Sequence, residues 1–378
     1  DSPSSCSIFQ VPEHPCLVSR RLTKGSNEAT IPKASSEQHI RFQNFIVDLT
    51  TLRIMMEALK RSTDVDTLSF HNAGLSDATV DSLVEGLPHT TVRCLCLDYN
   101  QPLTLPFSTQ HASNGSEGGS LDEEDGNNPS ASTLSSRNLP GLVCEASKLR
   151  QLQLRGNGID DAEAVALAEA IEGNDVLCSL NLFGNKISDV GAAAFAKSLR
   201  LNSVLRALSL ANNRLTSASA EAFGLLLAGG YEVLPAELEK RAEVEAIITA
   251  QNKAAAQEKK KKKPLINAET RLPLSIVTWD SDKRAIAGGS KSLAALNLSE
   301  NPELGAGGAL VKLLEKIAEA RNSDEEEGKS GQDGTPGEAV ALQELHVARC
   351  RVFAEDDEGQ TASVAAAADA LKPTVVTL

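Results

Sequence analysis

The chain has 378 residues, a formal net charge of −14, 41% hydrophobic residues and only 3% aromatic residues. This length suits two or three compact domains or one elongated domain, and the core must be largely aliphatic. Seven scattered cysteines argue against a disulfide framework and favour a reducing compartment, which predicts a cytoplasmic protein. No apolar run approaches the roughly 20 residues that a membrane span needs, so none is predicted.

A repeat organises the chain and is clearest in "LRQLQLRGNGIDDAEAVALAEAI", "LCSLNLFGNKISDVGAAAFAKSL" and "LRALSLANNRLTSASAEAFGLLL". Each segment reads L-x-x-L-x-L-x-x-N-x-I/L, followed by a polar turn and an Ala/Leu helix. This is the leucine-rich repeat in its longer, ribonuclease-inhibitor-like form. One repeat cannot bury its leucines alone, so neighbouring repeats must stack. The sequence therefore predicts an α/β fold: a right-handed solenoid with parallel strands on the concave face and helices on the convex face.

In chain order, residues 1–39 are predicted to form an N-terminal extension or cap, and residues 40–228 the first block of repeats. An acidic stretch rich in Gly and Ser, at about 104–138, is predicted to be a disordered loop within that block. Residues 229–290 interrupt the repeats with a helix, a lysine run and a returning segment. The repeats resume over 291–378, with a second acidic loop at about 322–337.

The two ends of the repeat array are degenerate. Ile40 and Phe42 lie 28 residues before Leu68 and Phe70, which indicates a first strand or cap. The terminal "PTVVTL" resembles the start of an earlier strand and predicts a ninth strand. Because the chain starts at Asp1 and stops within this strand, we expect it to be part of a longer protein without its C-terminal cap.

A polar side chain recurs where each repeat turns from strand to helix. An asparagine there carries a donor and acceptors that can satisfy backbone groups left unpaired by the bend, and cysteine is the accepted alternative. We therefore predict a structural ladder, with no catalytic role, that consists of Asn72, Asn100, Asn157, Asn185, Asn213, Asn301 and Cys350.

The insertion contains the densest charge in the chain. Strong helix formers from Pro235 to Glu258 predict a helix of about 36 Å. The lysine run that follows has three interpretations: a solvated helix end, a contact with an acidic partner, or a nuclear import signal. The sequence alone favours the solvated helix end, because charge runs are usually solvated. The run consists of Lys259, Lys260, Lys261, Lys262 and Lys263.

The single tryptophan, Trp279, lies in the segment that returns to the repeats. A lone tryptophan there can pin the returning chain onto the side of the solenoid, and we favour this interpretation. The alternative is that it anchors a partner, because tryptophan is enriched at binding hot spots.

Alternate strand positions define the predicted concave face, and most of them carry small neutral side chains. Such a face is poorly suited to nucleic acid, which requires dense Lys and Arg. It can accept a protein segment or remain a hydrated sheet. Arg155 and Phe183, on adjacent repeats, are the best candidates for a contact point.

The sequence offers no sign of enzymatic chemistry. No H-E-x-x-H, G-x-S-x-G or G-x-x-x-x-G-K-[ST] motif is present, and none of the six histidines lies in a catalytic setting. We therefore predict a non-enzymatic protein with no cofactor and no metal site.

The stretch "SLRLNSVLRALSLANNRLTSASAEAFGLLLAGGYEVLPAELEKRAEV" resembles the leucine-rich repeat-containing protein seventy-one family, in which a similar strand, turn and helix lead into a charged helix and a lysine-rich segment. "FQNFIVDLTTLRIMMEALKRSTDVDTLSF" and "CLDYNQPL" also fit that family, so the resemblance covers roughly residues 40–263. It implies a non-enzymatic component of motile cilia, built into the axoneme within a large complex of axonemal proteins. Tubulin, which is acidic, is then a possible partner for the lysine run.

Two functions follow from these observations. The first is an interaction scaffold or adaptor in a ciliary assembly, which would bind through its insertions and lateral surfaces. The second is a soluble regulatory adaptor, cytosolic or nuclear, which would inhibit a partner through its concave face. The small concave side chains favour the first.

Overall fold

The structure is a computed structural model that describes residues 38–100, 138–144, 147–257, 274, 277–279, 281–290, 292–330, 342–350, 365–369, 371 and 375–377. The predicted N-terminal extension to residue 37, the acidic loop up to residue 137 and the lysine run lie outside these residues. The second acidic loop was predicted to begin at residue 322, which is wrong. A helix continues to Ser330 because its Glu- and Ala-rich sequence has high helix propensity.

Nine short strands form one parallel sheet, which confirms the predicted solenoid. They follow chain order, and the sheet passes directly from the sixth strand to the tenth. The strands of this sheet are β1 (Gln38–Gln43), β2 (Val65–His71), β3 (Cys94–Cys96), β4 (Gln151–Gln153), β5 (Ser179–Asn181), β6 (Ala207–Ser209), β10 (Ala295–Asn297), β11 (Glu344–His346) and β12 (Val375–Thr377).

Helices alternate with these strands and cover the other side of the sheet. In the described part of the third repeat, a short 3-10 helix, Pro140–Val143, lies between the sheet strands β3 and β4. Polar N-caps begin several helices: the Asp160 side chain, for example, accepts from the Glu163 N–H at 3.1 Å. The repeat helices are α1 (Leu49–Lys60), α2 (Asp77–Gly86), α3 (Asp161–Glu172), α4 (Asp189–Leu201), α5 (Ser217–Ala228) and α7 (Ala309–Ser330).

The register of the sheet aligns the repeat leucines in one buried row. Leu152 pairs with Leu180, which pairs with Leu208, and that residue pairs with Leu296 across the insertion. All four side chains are buried. The core is therefore one continuous ribbon, as expected when single repeats cannot bury their own apolar faces.

The insertion forms a small structure of its own beside the solenoid. It contains β7 (Gly229–Glu232), α6 (Pro235–Gln257), β8 (Val277–Trp279) and β9 (Ala285–Gly288). The three strands form an antiparallel sheet in the order β7–β9–β8, which the sequence did not predict. Their glycines and alanines lack the alternating pattern that signals a half-buried strand.

At two glycines, the backbone segments that enter and leave the insertion approach each other and the solenoid very closely. A Cβ atom on Gly229, whose φ is +78°, would lie 2.5 Å from the carbonyl carbon of Gly288. A Cβ atom on Gly289 would lie 2.1 Å from the carbonyl oxygen of Leu227. Only glycine allows the backbone segments to approach this closely.

Candidate functional site

An asparagine ladder joins successive repeats along the buried side of the turns after the strands. The Asn185 Oδ1 atom accepts the backbone N–H of Asn157 at 3.0 Å, and its Nδ2 atom donates to the Leu154 and Leu182 carbonyls. This amide thus satisfies its own repeat and the preceding one, which a buried turn requires. Equivalent bonds involve Asn100, Asn213 and Asn301, while the Cys350 thiol donates to the Leu298 carbonyl at 3.4 Å. At Asn157 only the Oδ1 atom takes part, accepting the Asn100 backbone N–H at 2.8 Å, and the buried Nδ2 atom has no partner among the described residues.

The assignment of Asn72 to this ladder is wrong by one residue. Ala73 holds the buried position, and its N–H donates to the Asn100 Oδ1 atom at 2.8 Å. Asn72 is exposed, has a φ of +49°, and donates to Asn44 Oδ1 at 2.9 Å. Its distance of 28 residues from Asn100 is misleading, because the second repeat has 27 residues, one fewer than the regular repeats of 28.

A second regularity accompanies the ladder: the residue just before each ladder position adopts a left-handed conformation. Glycine and asparagine are the residues that tolerate it best, yet this chain also uses bulkier ones. The residues are Asn44, Asn72, Tyr99, Gly156, Gly184, Asn212, Glu300 and Arg349.

Arg155 and Phe183 lie in contact on the concave side. The Arg155 guanidinium carbon is 5.0 Å from the centroid of the Phe183 ring, a cation–π geometry. Both residues directly follow the third leucine of their repeats, so the strand pairing β4–β5 places them next to each other. The Asp98 carboxylate accepts from the Arg155 backbone N–H at 3.1 Å, not from its guanidinium.

Tyr99 extends this contact toward the first repeats, and sequence reasoning missed it. Its ring meets the His71 ring edge-on, with centroids 5.0 Å apart. It also lies over Gly156, where a Cβ atom would come within 2.5 Å of Tyr99 Cδ1. The signal was a bulky residue at a position that neighbouring repeats fill with Gly. We call the four side chains of His71, Tyr99, Arg155 and Phe183 the aromatic ledge.

The rest of the concave face is small and polar. Cys94 and Cys96 point the same way from β3, and the Cys94 thiol donates to Gln151 Oε1 at 3.5 Å. A hydrogen bond with Cys94, together with burial, raises the pKa of the Cys96 thiol well above its ordinary value. The Cys96 thiol therefore remains protonated and behaves as a packing group.

The structure contradicts the interpretation that Trp279 pins the returning chain. Its strand is held by β8–β9 pairing, in which Trp279 lies opposite Ala285, while its side chain is 66% exposed. Ala285 and Ala287 provide the buried contacts instead, in a small core with Val233 and Leu274. The indole is free to contact a partner.

Arg200, near the end of α4, holds the insertion against the solenoid. Its guanidinium carbon lies 3.9 Å from the Tyr231 ring centroid, and its carbonyl accepts from the Leu274 N–H at 3.2 Å. Its Nη1 atom is 3.9 Å from the buried Glu237 Oε1 atom. Burial, partly offset by the Arg200 charge, raises the pKa of Tyr231 to about 12. An ion pair of Lys240 with Glu172 adds a second attachment.

Among the described residues, no group of three or more His, Cys, Asp or Glu side chains is arranged to hold a metal ion. In that same part of the chain, none of the helices combines the length and the apolar character needed to span a membrane.

A family model agrees with the repeat architecture over three of the repeats. The leucine-rich repeat family model matches residues 145–168, 174–196 and 201–224. Among solved structures, an internalin from Listeria monocytogenes is similar at 16% identity, with 85% of this chain and 56% of that chain covered and a TM-score of 0.33. The leiomodin-1 actin-binding site 2 is similar at 23% identity, with 35% and 83% covered and a TM-score of 0.22. No curated protein matches.

These observations define a protein of leucine-rich repeats, folded as an α/β solenoid. In other proteins, leucine-rich repeats form scaffolds that bind partner proteins.

Proposed function

We propose that this protein is a non-enzymatic scaffold that is built into the ciliary axoneme. The observation that carries the proposal is the insertion, which is fastened to the side of the solenoid and presents Trp279 to solvent. A lateral attachment leaves the concave face open, so one molecule can hold two partners. The ciliary location rests on the resemblance to the leucine-rich repeat-containing protein seventy-one family.

The partners in this proposal are axonemal proteins, and tubulin is the candidate for the lysine run. Lys259 to Lys263 begin two residues after the last residue of α6, Gln257, and would meet an acidic surface electrostatically. Such exposed contacts weaken as salt screens them, with a Debye length of about 8 Å at physiological ionic strength.

The test uses the full-length protein, tagged and expressed in ciliated cells, with isolated cilia then extracted with detergent and salt. We expect retention to fall when all five lysines are changed to glutamine, and separately in Trp279→Ala. Val190→Ser, which alters an exposed apolar residue on the repeat helices, is the matched control. Unchanged retention in both insertion variants would contradict a role of the insertion in assembly.

A second candidate function is a soluble regulatory adaptor, in cytosol or nucleus, that binds its partner on the concave face. The aromatic ledge favours it, because aromatic and Arg side chains are the commonest hot-spot residues of interfaces. A detergent-soluble protein whose partner is lost on Phe183→Ala would favour this function over the axonemal one.

A further inference from the structure

Three exposed arginines are aligned along the edge of the parallel sheet where its strands begin. Arg93, Arg150 and Arg206 each occupy the residue immediately before a strand, namely β3, β4 and β6. Backbone hydrogen bonds fix the alignment: the Arg150 N–H donates to the Arg93 carbonyl at 2.7 Å, and the Cys178 N–H donates to the Arg150 carbonyl at 2.8 Å. The Arg206 N–H in turn donates to the Cys178 carbonyl at 2.8 Å. We call Arg93, Arg150 and Arg206 the arginine row.

The charges of the arginine row are not neutralised by any residue that the structure describes. No described carboxylate forms an ion pair with these three guanidinium groups, although acidic residues outnumber basic ones by 51 to 37 in the sequence. Lys148, which is also exposed, adds a fourth positive charge at this edge, where its Nζ atom donates to the Thr90 carbonyl at 3.4 Å. The strand positions that directly follow the row are uncharged: Cys94, Gln151, Ser179 and Ala207.

The positive strip has definite ends. Beyond Arg93 the aligned residue is Asp66, whose carbonyl accepts the Arg93 N–H at 2.7 Å and whose carboxylate accepts the Thr67 hydroxyl at 3.0 Å. Beyond Arg206 the aligned residue is Ala294, whose N–H donates to the Arg206 carbonyl at 2.8 Å. The strip therefore crosses four strands, which is three strand spacings or about 14 Å.

This length and charge favour an acidic protein segment over nucleic acid. Duplex DNA carries one negative charge per about 1.7 Å of its axis, so about eight phosphates would face a strip that holds three arginines and one lysine. The net charge of −14 would also repel the rest of a long polyanion. An extended peptide covers the same length with about four or five residues, which carry at most as many carboxylates.

We propose that the arginine row binds a segment of a partner protein that is rich in Asp and Glu and lies extended across the strand starts. Each guanidinium group offers a carboxylate two parallel N–H donors, a geometry that needs no deep pocket. The inference rests on the scaffold function only in requiring a protein partner. It depends neither on the ciliary location nor on the lysine run.

The test measures binding to the purified full-length protein by fluorescence anisotropy with a fluorescein-labelled peptide of ten glutamates. All five lysines of the run are first changed to glutamine, because the run would also attract an acidic peptide. We expect saturable binding that weakens as salt is raised from about 50 to about 300 mM. A labelled peptide of ten glutamines and a labelled ten-nucleotide single-stranded DNA serve as comparisons.

Variants locate the site on the arginine row. We expect Arg93→Gln, Arg150→Gln and Arg206→Gln each to weaken binding of the glutamate peptide about threefold, and the triple variant about thirtyfold, since separate exposed contacts add. The triple change to lysine keeps the charge and should bind more tightly than the triple glutamine variant. These exposed side chains form no ion pairs among the described residues, so the unfolding midpoint should stay close to that of the parent protein.

The matched control removes three exposed cations elsewhere on the solenoid, through Arg53→Gln, Lys186→Gln and Arg214→Gln. Equal weakening in this control, or full affinity in the triple glutamine variant of the row, would refute the assignment. No binding of the glutamate peptide, equal binding of the glutamine peptide, or tighter binding of the DNA would also overturn it. Because the assay contains no cilia, its failure would count against the arginine row alone and leave the retention test of the scaffold untouched.

Discussion

The backbone N–H of Asn213 donates to the Oδ1 atom of Asn301 at 2.9 Å, although 88 residues separate them in sequence. The same bond joins Asn157 to Asn185 at 3.0 Å across one ordinary repeat of 28 residues. The insertion therefore leaves the hydrogen bonding of the solenoid intact. It is an addition to the side of the array and not a boundary between two arrays.

Asn301→Ala should destabilise the solenoid by about 2–3 kcal/mol, because it leaves several buried backbone groups without partners. Asn301 is fully buried, and its Nδ2 atom donates to the Leu210 and Leu298 carbonyls. Urea unfolding measures the loss. Asn72→Gly is the control, since Asn72 is exposed and its left-handed φ suits glycine. Equal losses in the two variants would contradict the corrected ladder.

The period of the sequence predicted most of this ladder but not all of it. The recurring pattern of leucines and asparagine identified five asparagines and Cys350 correctly, although only Asn157, Asn185 and Asn213 keep the spacing of 28 residues. It failed at Asn72, where the repeat is one residue shorter and alanine fills the buried position. The sequence period locates each repeat, whereas the hydrogen bonds in the structure identify which residue of the turn is buried.

The aromatic ledge and the insertion were harder to predict for a different reason. Arg155 and Phe183 share one repeat position, so their contact could be foreseen. Tyr99 was missed, because its side chain reaches the ledge through a left-handed backbone, which the sequence signals only through the glycines at the same position of the next two repeats, Gly156 and Gly184. The pairing of β7 with β9 joins segments that lie more than 50 residues apart, and short Gly- and Ala-rich strands carry no pattern.

Gly289→Ala should loosen the junction between the insertion and the solenoid. The new Cβ atom would meet the Leu227 carbonyl oxygen at 2.1 Å, so the backbone must shift, at a cost of about 2 kcal/mol or more. Hydrogen exchange should quicken in β7 and β9. Gly173→Ala has open space around the added methyl group and should be neutral or stabilising by about 0.5 kcal/mol. Unchanged exchange in Gly289→Ala would refute the close approach.

Arg200→Ala should release the insertion while the repeats stay folded. The change removes the contact with the Tyr231 ring and the charge facing buried Glu237. We expect faster proteolysis within residues 229–290 and an unfolding midpoint close to that of the parent protein. Arg206→Ala, which alters another arginine of the repeats, serves as control. If both variants are cleaved alike, Arg200 does not hold the insertion.

Asp189, in the first turn of α4, accepts hydrogen bonds from Thr216 at the start of α5. The free energy of unfolding should therefore depend on pH in the acid range. Burial alone would raise the pKa of Asp189, but hydrogen bonds from Ser219 and Thr216 outweigh burial and lower it. A lowered folded-state pKa means that the stabilisation is present above the unfolded pKa, near 3.9. It is lost as pH falls through the folded-state pKa.

Asp189→Asn should therefore cost about 1 kcal/mol at pH 7, an amount kept small because the carboxylate is only partly buried and solvent still screens it. The difference from the parent protein should shrink as the pH is lowered from 5 to 3. Thermal unfolding across this range measures it, with the exposed Asp81→Asn as control. A difference that stays constant with pH would rule out the carboxylate as its source.

The scaffold function is tested most directly by the fraction of tagged full-length protein that remains with isolated axonemes after detergent and then high salt. The account predicts that detergent releases little of it, and that release occurs at high salt or not at all. Complete release by detergent alone, or a protein confined to the cytosol or nucleus, would contradict an axonemal scaffold.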